Sequence, residues 1–206
     1  MSSDRSGRIS CTCGKSSITV ADGRAVQHFL CGCEDCRQAL QWCHINGGKK
    51  PDPIPDLFYL RSDIIEVEGS EFLATFKLRS DGKSTRLYCT NCFSVIAVDH
   101  PYYKSNVFLF FPKHCEVECD ISLNPAAYIM MGDYSEEIGP KPMLDIPLFF
   151  NFNFKQERDR FASIKGFNFI ENAEGEYEGK TLTGFIKELG MPKELNLPKG
   201  KNLLTS

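Results

Sequence analysis

The sequence lacks the features of secreted, membrane-spanning and polyanion-binding proteins. Its first ten residues, MSSDRSGRIS, contain no apolar core of the kind that a signal peptide needs. No apolar run approaches the roughly 18 residues of a membrane-spanning helix. Charge is nearly balanced, with 24 basic and 27 acidic residues and a net charge of −3, which disfavours a nucleic-acid partner. We therefore expect a soluble, cytoplasmic protein that binds neither nucleic acid nor membrane.

The sequence also lacks internal repeats, and it is rich instead in phenylalanine and cysteine. It has 16 Phe and 10 Cys in 206 residues. Phenylalanine in that number indicates a β-rich interior packed with aromatic rings. Because a reducing compartment does not sustain a framework of disulfides, clustered cysteines predict metal ligation.

Short apolar segments separated by turn residues predict β-strands between residues 9 and 119. These segments are SSITV, IIEVEG, FLATFKL, TRLYC, SVIAV and NVFLFF. A last strand is predicted at PLFFNFNFK, where Phe150, Phe152 and Phe154 alternate and would share one face. QERDRFASIKG and TLTGFIKELGM predict short helices, and the residues after Pro192 have the character of a surface tail.

Seven of the ten cysteines fall into three tight groups. The groups are Cys11 and Cys13; Cys31, Cys33 and Cys36; and Cys89 and Cys92. A Cys-x-Cys pair on a strand and a Cys-x-x-Cys turn each present two thiols to one ion. Two such pairs make the closed four-thiolate site of a structural zinc, whereas three thiols alone make an open site at which a metal does chemistry. The sequence therefore predicts two zinc ions per chain, and the spacing leaves open which groups pair.

Three blocks of sequence carry these cysteines: GRISCTCGKSSITV, FLCGCEDCRQAL and TRLYCTNCFSVIAV. They resemble the signature blocks of the glutathione-dependent formaldehyde-activating enzyme family, which includes the centromere protein V type. NPAAYIMMGDYSEEIGPKPMLDIPLFF resembles that family's closing segment, so the resemblance covers residues 7–150. The chain departs from the family at Phe93, where a glycine is usual, at QWCHINGG, and in its length beyond the usual end.

The resemblance implies a mainly β fold of stacked antiparallel sheets, the β-tent shared with methionine-R-sulfoxide reductases. It implies a structural zinc on one set of ligands and a second, catalytic zinc on another. The first set is Cys11, Cys13, Cys89 and Cys92, and the second is Cys31, Cys33 and Cys36. We expect a flexible tail over residues 1–8 and the zinc-binding, formaldehyde-activating-enzyme-like domain over 9–155. A C-terminal extension with short helices, packed on the domain or trailing from it, would then occupy 156–206.

The resemblance also implies a carbon–sulfur lyase or synthase, which adds a glutathione-like thiol to a small electrophile such as formaldehyde, or reverses that addition. The expected partners are a small-molecule thiol and an electrophile. The sequence leaves open whether the chain also forms a homodimer. A second hypothesis is a non-catalytic zinc module that binds a protein, as the centromere protein V branch suggests. The lack of a basic, disordered arm favours the enzyme. A third is a family member adapted to another substrate in specialised metabolism.

Three residues near the open site are candidates for substrate binding. Arg37 would pair with a substrate carboxylate or neutralise the zinc–thiolate cluster. Trp42 would form a pocket wall or anchor the core. His44 would act as an acid–base group or lie on an exposed loop. Cys43 and His44 can also close the second zinc site as a fourth ligand, and we expect the site to stay open.

Overall fold

The computed structural model describes residues 5–204, and over that range the protein is mainly β. Within these residues, twelve strands form two sheets, and four short α-helices accompany them. None of the helices in this range combines the length and the apolar character that crossing a membrane requires. The predicted mainly β fold with short helices is confirmed.

Four strands form the smaller sheet: β1 (Gly7–Ser10), β2 (Ser17–Val20), β5 (Ile64–Glu68) and β10 (Glu116–Glu118). They pair antiparallel in the order β10-β1-β2-β5. Ile9 lies opposite Ile18 across the first hairpin, and both side chains are buried because alternate residues of a strand point to one face. One face of this sheet is therefore apolar.

Eight strands form the larger sheet: β3 (Gln27–Cys31), β4 (Asp56–Arg61), β6 (Leu73–Lys77), β7 (Thr85–Cys89), β8 (Val95–Asp99), β9 (Val107–Phe110), β11 (Tyr128–Ile129) and β12 (Lys193–Glu194). Their order is β11-β3-β4-β9-β8-β7-β6-β12. The two outermost strands join in parallel, and the inner pairs are antiparallel. The larger sheet is thus mixed, which corrects the expectation of purely antiparallel sheets.

The four helices are α1 (Glu34–Ile45), α2 (Lys155–Phe161), α3 (Phe169–Asn172) and α4 (Leu182–Glu188). Cys33 caps the start of α1, where its Sγ accepts a hydrogen bond from the backbone N–H of Cys36 at 3.2 Å. Thr181 caps α4 through its side chain, and Gly190 just beyond the helix has a φ of 86°, a conformation that favours glycine. Both predicted helical segments of the extension are confirmed.

The larger sheet is buried on both faces. Along β4, Phe58 and Leu60 point into an apolar layer that also contains buried residues of the smaller sheet. Leu57 and Tyr59, which alternate with them, point into a second apolar layer together with side chains of α1 and of the extension. The two sheets therefore pack face to face, and the helical parts of the chain cover the opposite side.

The six strand segments predicted between residues 9 and 119 are all confirmed, but the last predicted strand is wrong. In PLFFNFNFK only Leu148 makes a β-bridge, to Tyr128, and the chain then turns into α2. Phe152 packs against the core, whereas Phe150 and Phe154 are 58% and 65% exposed. The three rings do not share a face because this part of the chain is not extended.

The two ends of the chain also differ from expectation. The first strand begins at Gly7, inside the segment predicted as a tail, and residues 1–4 of that segment lie outside the described residues. Residues after Pro192 are not a surface tail, because β12 pairs with β6 and Leu195 and Leu197 pack against the main core. The division of the chain at residue 155 stays a prediction.

Candidate metal centres

Two predicted pairs of ligands converge into one group of four thiols. Cys11 and Cys13 follow β1, whereas Cys89 ends β7 and Cys92 lies on the next turn. Although Cys13 and Cys89 are 76 residues apart in sequence, their Sγ atoms are 3.8 Å apart. All four Sγ atoms lie within 4.8 Å of one another. Sulfurs around a tetrahedral zinc are about 3.8 Å apart, so the arrangement fits such an ion.

The turn that carries Cys92 contains Phe93, where the resemblance leads to the expectation of glycine. Phe93 has a φ of 54°, and its backbone N–H donates to the carbonyl of Cys89 at 2.9 Å. A left-handed conformation costs a non-glycine residue about 1–2 kcal/mol. The phenylalanine ring packs against Trp42 and Tyr88, at centroid distances of 5.6 and 5.7 Å, and this contact offsets the cost. The substitution therefore leaves the turn intact.

Hydrogen bonds prepare one of the four thiols to lose its proton. Although burial opposes the change, hydrogen bonds with Ser94 and Thr12 lower the pKa of Cys92 to about 6. Burial raises the pKa of Cys89 to about 12. Close sulfurs of this kind keep most of their protons until a cation replaces them, and soft thiolates select a soft divalent ion.

The second group combines the end of a strand with the start of a helix. Cys31 ends β3, Cys33 caps α1 and Cys36 lies in the first turn of α1, and their three Sγ atoms lie within 4.8 Å of one another. Gly32 between the first two is tightly enclosed, since a Cβ there would lie 2.7 Å from Sδ of Met131. A larger residue here would therefore have to displace the Met131 side chain, so the close packing favours glycine between the two cysteines.

The thiol at the helix cap is the one favoured as a thiolate. Hydrogen bonds with Cys31 and Cys36 hold the pKa of Cys33 well below its usual range, and the charge of Arg86 acts in the same direction. Hydrogen bonding with Cys33 raises the pKa of Cys31. The start of a helix also favours negative charge. The three sulfurs thus form a donor set that fits a soft cation.

All three cysteines line a cavity of about 820 Å³. Aromatic and aliphatic side chains make up much of its wall: Leu57, Tyr59, Val98, Tyr102, Tyr103, Leu109, Phe111, Ile129, Met130, Phe152, Phe161 and Phe167. The rest of the wall is largely charged or polar. Its basic residues are Arg79, Lys83, Arg86, His100, Arg158 and Lys199, and its acidic residues are Glu34, Asp35, Asp81 and Asp133. The three thiols therefore face a space that a small molecule can fill.

Among residues 5–204, no fourth Cys, His, Asp or Glu side chain joins the three thiols. Cys43 is fully buried in the core, and burial raises its pKa. His44 directs its Nδ1 at the carbonyl oxygen of Gly48, 3.0 Å away. A fourth ligand to an ion held by these thiols has to come from the cavity.

The three residues predicted to bind substrate do not line this cavity. Arg37 is buried and donates to the carbonyl oxygens of Gly32 and Asp133, so it holds the loop between the first two cysteines of the group. Trp42 packs against the ring of Phe76 at 4.7 Å and contributes to the core. None of Arg37, Trp42 and His44 is therefore placed to contact a ligand in the cavity.

The cavity wall contains residues that sequence reasoning missed. Arg86 and Tyr59 are the most informative, because both are almost fully buried and both line the cavity with the thiols. Strand alternation was the available signal for Arg86. In TRLYC it shares a face with Tyr88, while Leu87 and Cys89 point to the other side. No sequence pattern near Tyr59 predicts that it lies beside the three cysteines.

We expect the second metal site to remain open toward the cavity. X-ray absorption of the zinc-loaded protein should give the same average number of sulfur and nitrogen ligands for Cys43→Ala and His44→Ala as for the wild type. Cys36→Ala serves as the matched control and should lose the second zinc ion, which leaves about one zinc per chain with four sulfur ligands. A sulfur or nitrogen lost from the second zinc in either of the first two variants would mean that the protein closes the site itself.

Comparisons with known proteins add no relative from which a function can be taken. No protein-family model matches this chain, and no curated protein matches it.

Proposed function

We propose that this chain is a zinc-dependent carbon–sulfur lyase or synthase of the formaldehyde-activating enzyme and centromere protein V type, with the β-tent arrangement of its sheets. The observation that carries the proposal is the contrast between the two thiol groups. One has four sulfurs from distant parts of the chain, and the other has three sulfurs in the wall of a cavity. A closed set suits a structural ion, and an open set suits an ion that receives a substrate.

Zinc is the metal we propose for both groups. Thiolate ligands and near-tetrahedral spacing favour zinc over the harder cations that prefer oxygen. Three thiolates outweigh the charge of one zinc ion, so the open site is anionic and poorly suited to activating water. A bound ion there would lower the pKa of a fourth thiol, supplied by the substrate, and keep it as a thiolate.

Addition of such a thiolate to an aldehyde is a balanced reaction. The carbon–sulfur bond forms as the π bond of the carbonyl breaks, its electron pair moves to oxygen, and that oxygen takes the proton released by the thiol. Tyr59 and Tyr103 line the cavity, and we propose their hydroxyls as the donors to this oxygen. Burial raises the pKa of both tyrosines, so they stay protonated. The reverse sequence is the lyase step.

The proposed substrates are small molecules, and the proposed compartment is the cytoplasm. All ten cysteines are free thiols, which suits a reducing compartment. Within the cavity, Arg86 lowers the pKa of Cys33 through its charge and would help to balance an anionic cluster. These features favour a thiol and an electrophile as the partners.

Glutathione should raise the melting temperature of the zinc-loaded wild type, because a ligand that binds only the folded state stabilises it by mass action. The same concentration should leave the melting temperature of Cys33→Ser unchanged. S-methylglutathione, which keeps the shape but has no free thiol, is the matched ligand control and should stabilise much less. Equal stabilisation by both ligands would contradict sulfur ligation and favour the non-catalytic zinc module instead.

A further inference from the structure

The cavity beside the three thiols is much larger than formaldehyde requires. Its volume of about 820 Å³ lies in the range that encloses a drug-sized molecule, whereas formaldehyde has only two heavy atoms. A small electrophile would leave most of this space to water. The size of the cavity therefore points to at least one substrate with a body of its own, which is either the thiol or the electrophile.

One wall of the cavity is a row of aromatic rings that the C-terminal part of the chain supplies. Phe152 and Phe161 have ring centroids 4.7 Å apart, and Phe161 and Phe167 have centroids 5.4 Å apart. All three rings are only half-buried, so part of each apolar surface faces the cavity. Leu57 and Leu109 of the larger sheet line the cavity as well. Covering these surfaces with an apolar ligand removes them from water, which favours binding.

Basic side chains gather at the part of the cavity formed by β7 and the end of β8. Lys83, Arg86 and His100 all line the cavity there. Burial lowers the pKa of His100, and the charges of Lys83 and Arg86 act in the same direction. Nδ1 of His100 accepts a hydrogen bond from the backbone N–H of Tyr102, so a neutral ring presents its Nε2 as a donor. The three side chains can therefore all donate hydrogen bonds to one ligand.

Arg86 is the residue that most needs a ligand. It is 3% exposed, it has no ion pair with a carboxylate of residues 5–204, and its Nε has no hydrogen-bond partner within them. Its two remaining nitrogens reach only backbone carbonyl oxygens, at 3.3 and 3.4 Å. By contrast, Arg79 and Lys199 on the same wall pair with Asp35 and Asp81. The charge of Arg86 favours the thiolate form of Cys33, and a carboxylate that reached its free Nε would stabilise this buried guanidinium further.

We infer that the cavity binds an apolar, ring-bearing carboxylic acid, with its ring against Phe152, Phe161 and Phe167 and its carboxylate at Arg86, Lys83 and His100. Binding of such an acid does not depend on the proposed function. Only its role does: if the proposed function is right, this acid is the electrophile or the thiol that reacts at Cys31, Cys33 and Cys36. The part of the chain from Phe152 to Phe167 then determines specificity, because it provides the ring-binding wall.

The test is isothermal titration calorimetry of the full-length, zinc-loaded protein with naphthalene-2-carboxylate, its neutral amide naphthalene-2-carboxamide, and propionate. The wild type should bind the aromatic acid at least tenfold more tightly than either of the other two. Lys83→Gln and Arg86→Gln should each weaken binding of the aromatic acid about tenfold, the worth of one charge-assisted hydrogen bond, and leave the amide unchanged. Lys83 is exposed, so its replacement does not threaten folding.

Phe167→Ala should weaken binding of the aromatic acid and binding of the amide by the same factor of about ten, since it removes apolar contact and no charge. Phe154→Ala, an exposed phenylalanine on the same part of the chain, and Lys50→Gln, an exposed lysine away from the cavity, are the matched controls and should change nothing. Equal affinity for the acid and the amide, or no binding of either, would overturn the inference.

Because naphthalene-2-carboxylate has no thiol, these results are independent of the glutathione test. A protein that binds the aromatic acid as expected but no thiol would contradict the proposed reaction and support the inferred cavity ligand. A protein that binds thiols but shows no preference for the aromatic acid would support the proposed reaction and contradict the inferred cavity ligand.

Discussion

Cys89→Ser should yield insoluble or unfolded protein. Cys89 belongs to the group of four thiols, which joins the turn after β1 to the turn after β7. Because such a site does not exist in the unfolded chain, the binding free energy of its ion is part of the folding free energy, roughly 10 kcal/mol or more for zinc at neutral pH. A domain of ordinary stability, about 5–15 kcal/mol, does not survive that loss. Soluble yield and circular dichroism are the measurements.

Two variants serve as controls for this effect. Cys33→Ser removes a thiol from the group of three and should leave a folded protein with about one zinc ion per chain instead of two. Cys115→Ser changes a buried thiol that belongs to neither group and should cost only about 1–3 kcal/mol, the typical effect of a polar change at a buried site. Equal loss of folding in Cys33→Ser and Cys89→Ser would contradict the division into a structural and an open site.

Asp63→Ala should lower the free energy of unfolding by about 3–5 kcal/mol, because it removes three hydrogen bonds to a charged acceptor, each worth about 1.5–3 kcal/mol. Asp63 is fully buried, and its carboxylate accepts from Arg61 at 3.0 Å and from the backbone N–H groups of Glu178 and Gly179 at 3.1 and 2.8 Å. Asp63 thus pairs with Arg61 at the end of β4, and it also accepts hydrogen bonds from the backbone of the C-terminal extension at Glu178 and Gly179. Urea denaturation followed by tryptophan fluorescence gives the free energy.

The matched control is Asp159→Ala, which removes an exposed aspartate from an ion pair with Lys155 four residues away on α2. Exposed pairs of this spacing contribute only about 0.3–0.5 kcal/mol. If Asp63→Ala costs no more than Asp159→Ala, the carboxylate does not hold the extension, and the packing of α3 and α4 has to do so alone.

The predictions that hold without the structure are those that depend on backbone periodicity. Residues two apart on a strand share a face, so the six segments with alternating or continuous apolar residues were readable as strands. The Cys-x-Cys and Cys-x-x-Cys spacings were readable as pairs of ligands for a different reason, namely that two thiols so close in sequence can reach one ion from a turn. The expected Cys-x-Cys strand was wrong, because Cys11 and Cys13 lie in the turn after β1 and Cys33 lies beyond the end of β3. At PLFFNFNFK the rule for strands also failed, because alternation of Phe150, Phe152 and Phe154 has meaning only if the chain is extended, and there it turns.

Only the tertiary structure decides which residues meet across long sequence separations. Spacing could not pair Cys13 with Cys89, nor exclude Cys43 from the open site, since the orientation of α1 places that thiol in the core. Spacing also could not show that Arg86 and Phe161 line one cavity, because β7 and α2 are brought together by packing and not by any local pattern. Local sequence therefore determined the ligand pairs and the strands, whereas burial and side-chain packing determined the grouping of the pairs and the shape of the cavity.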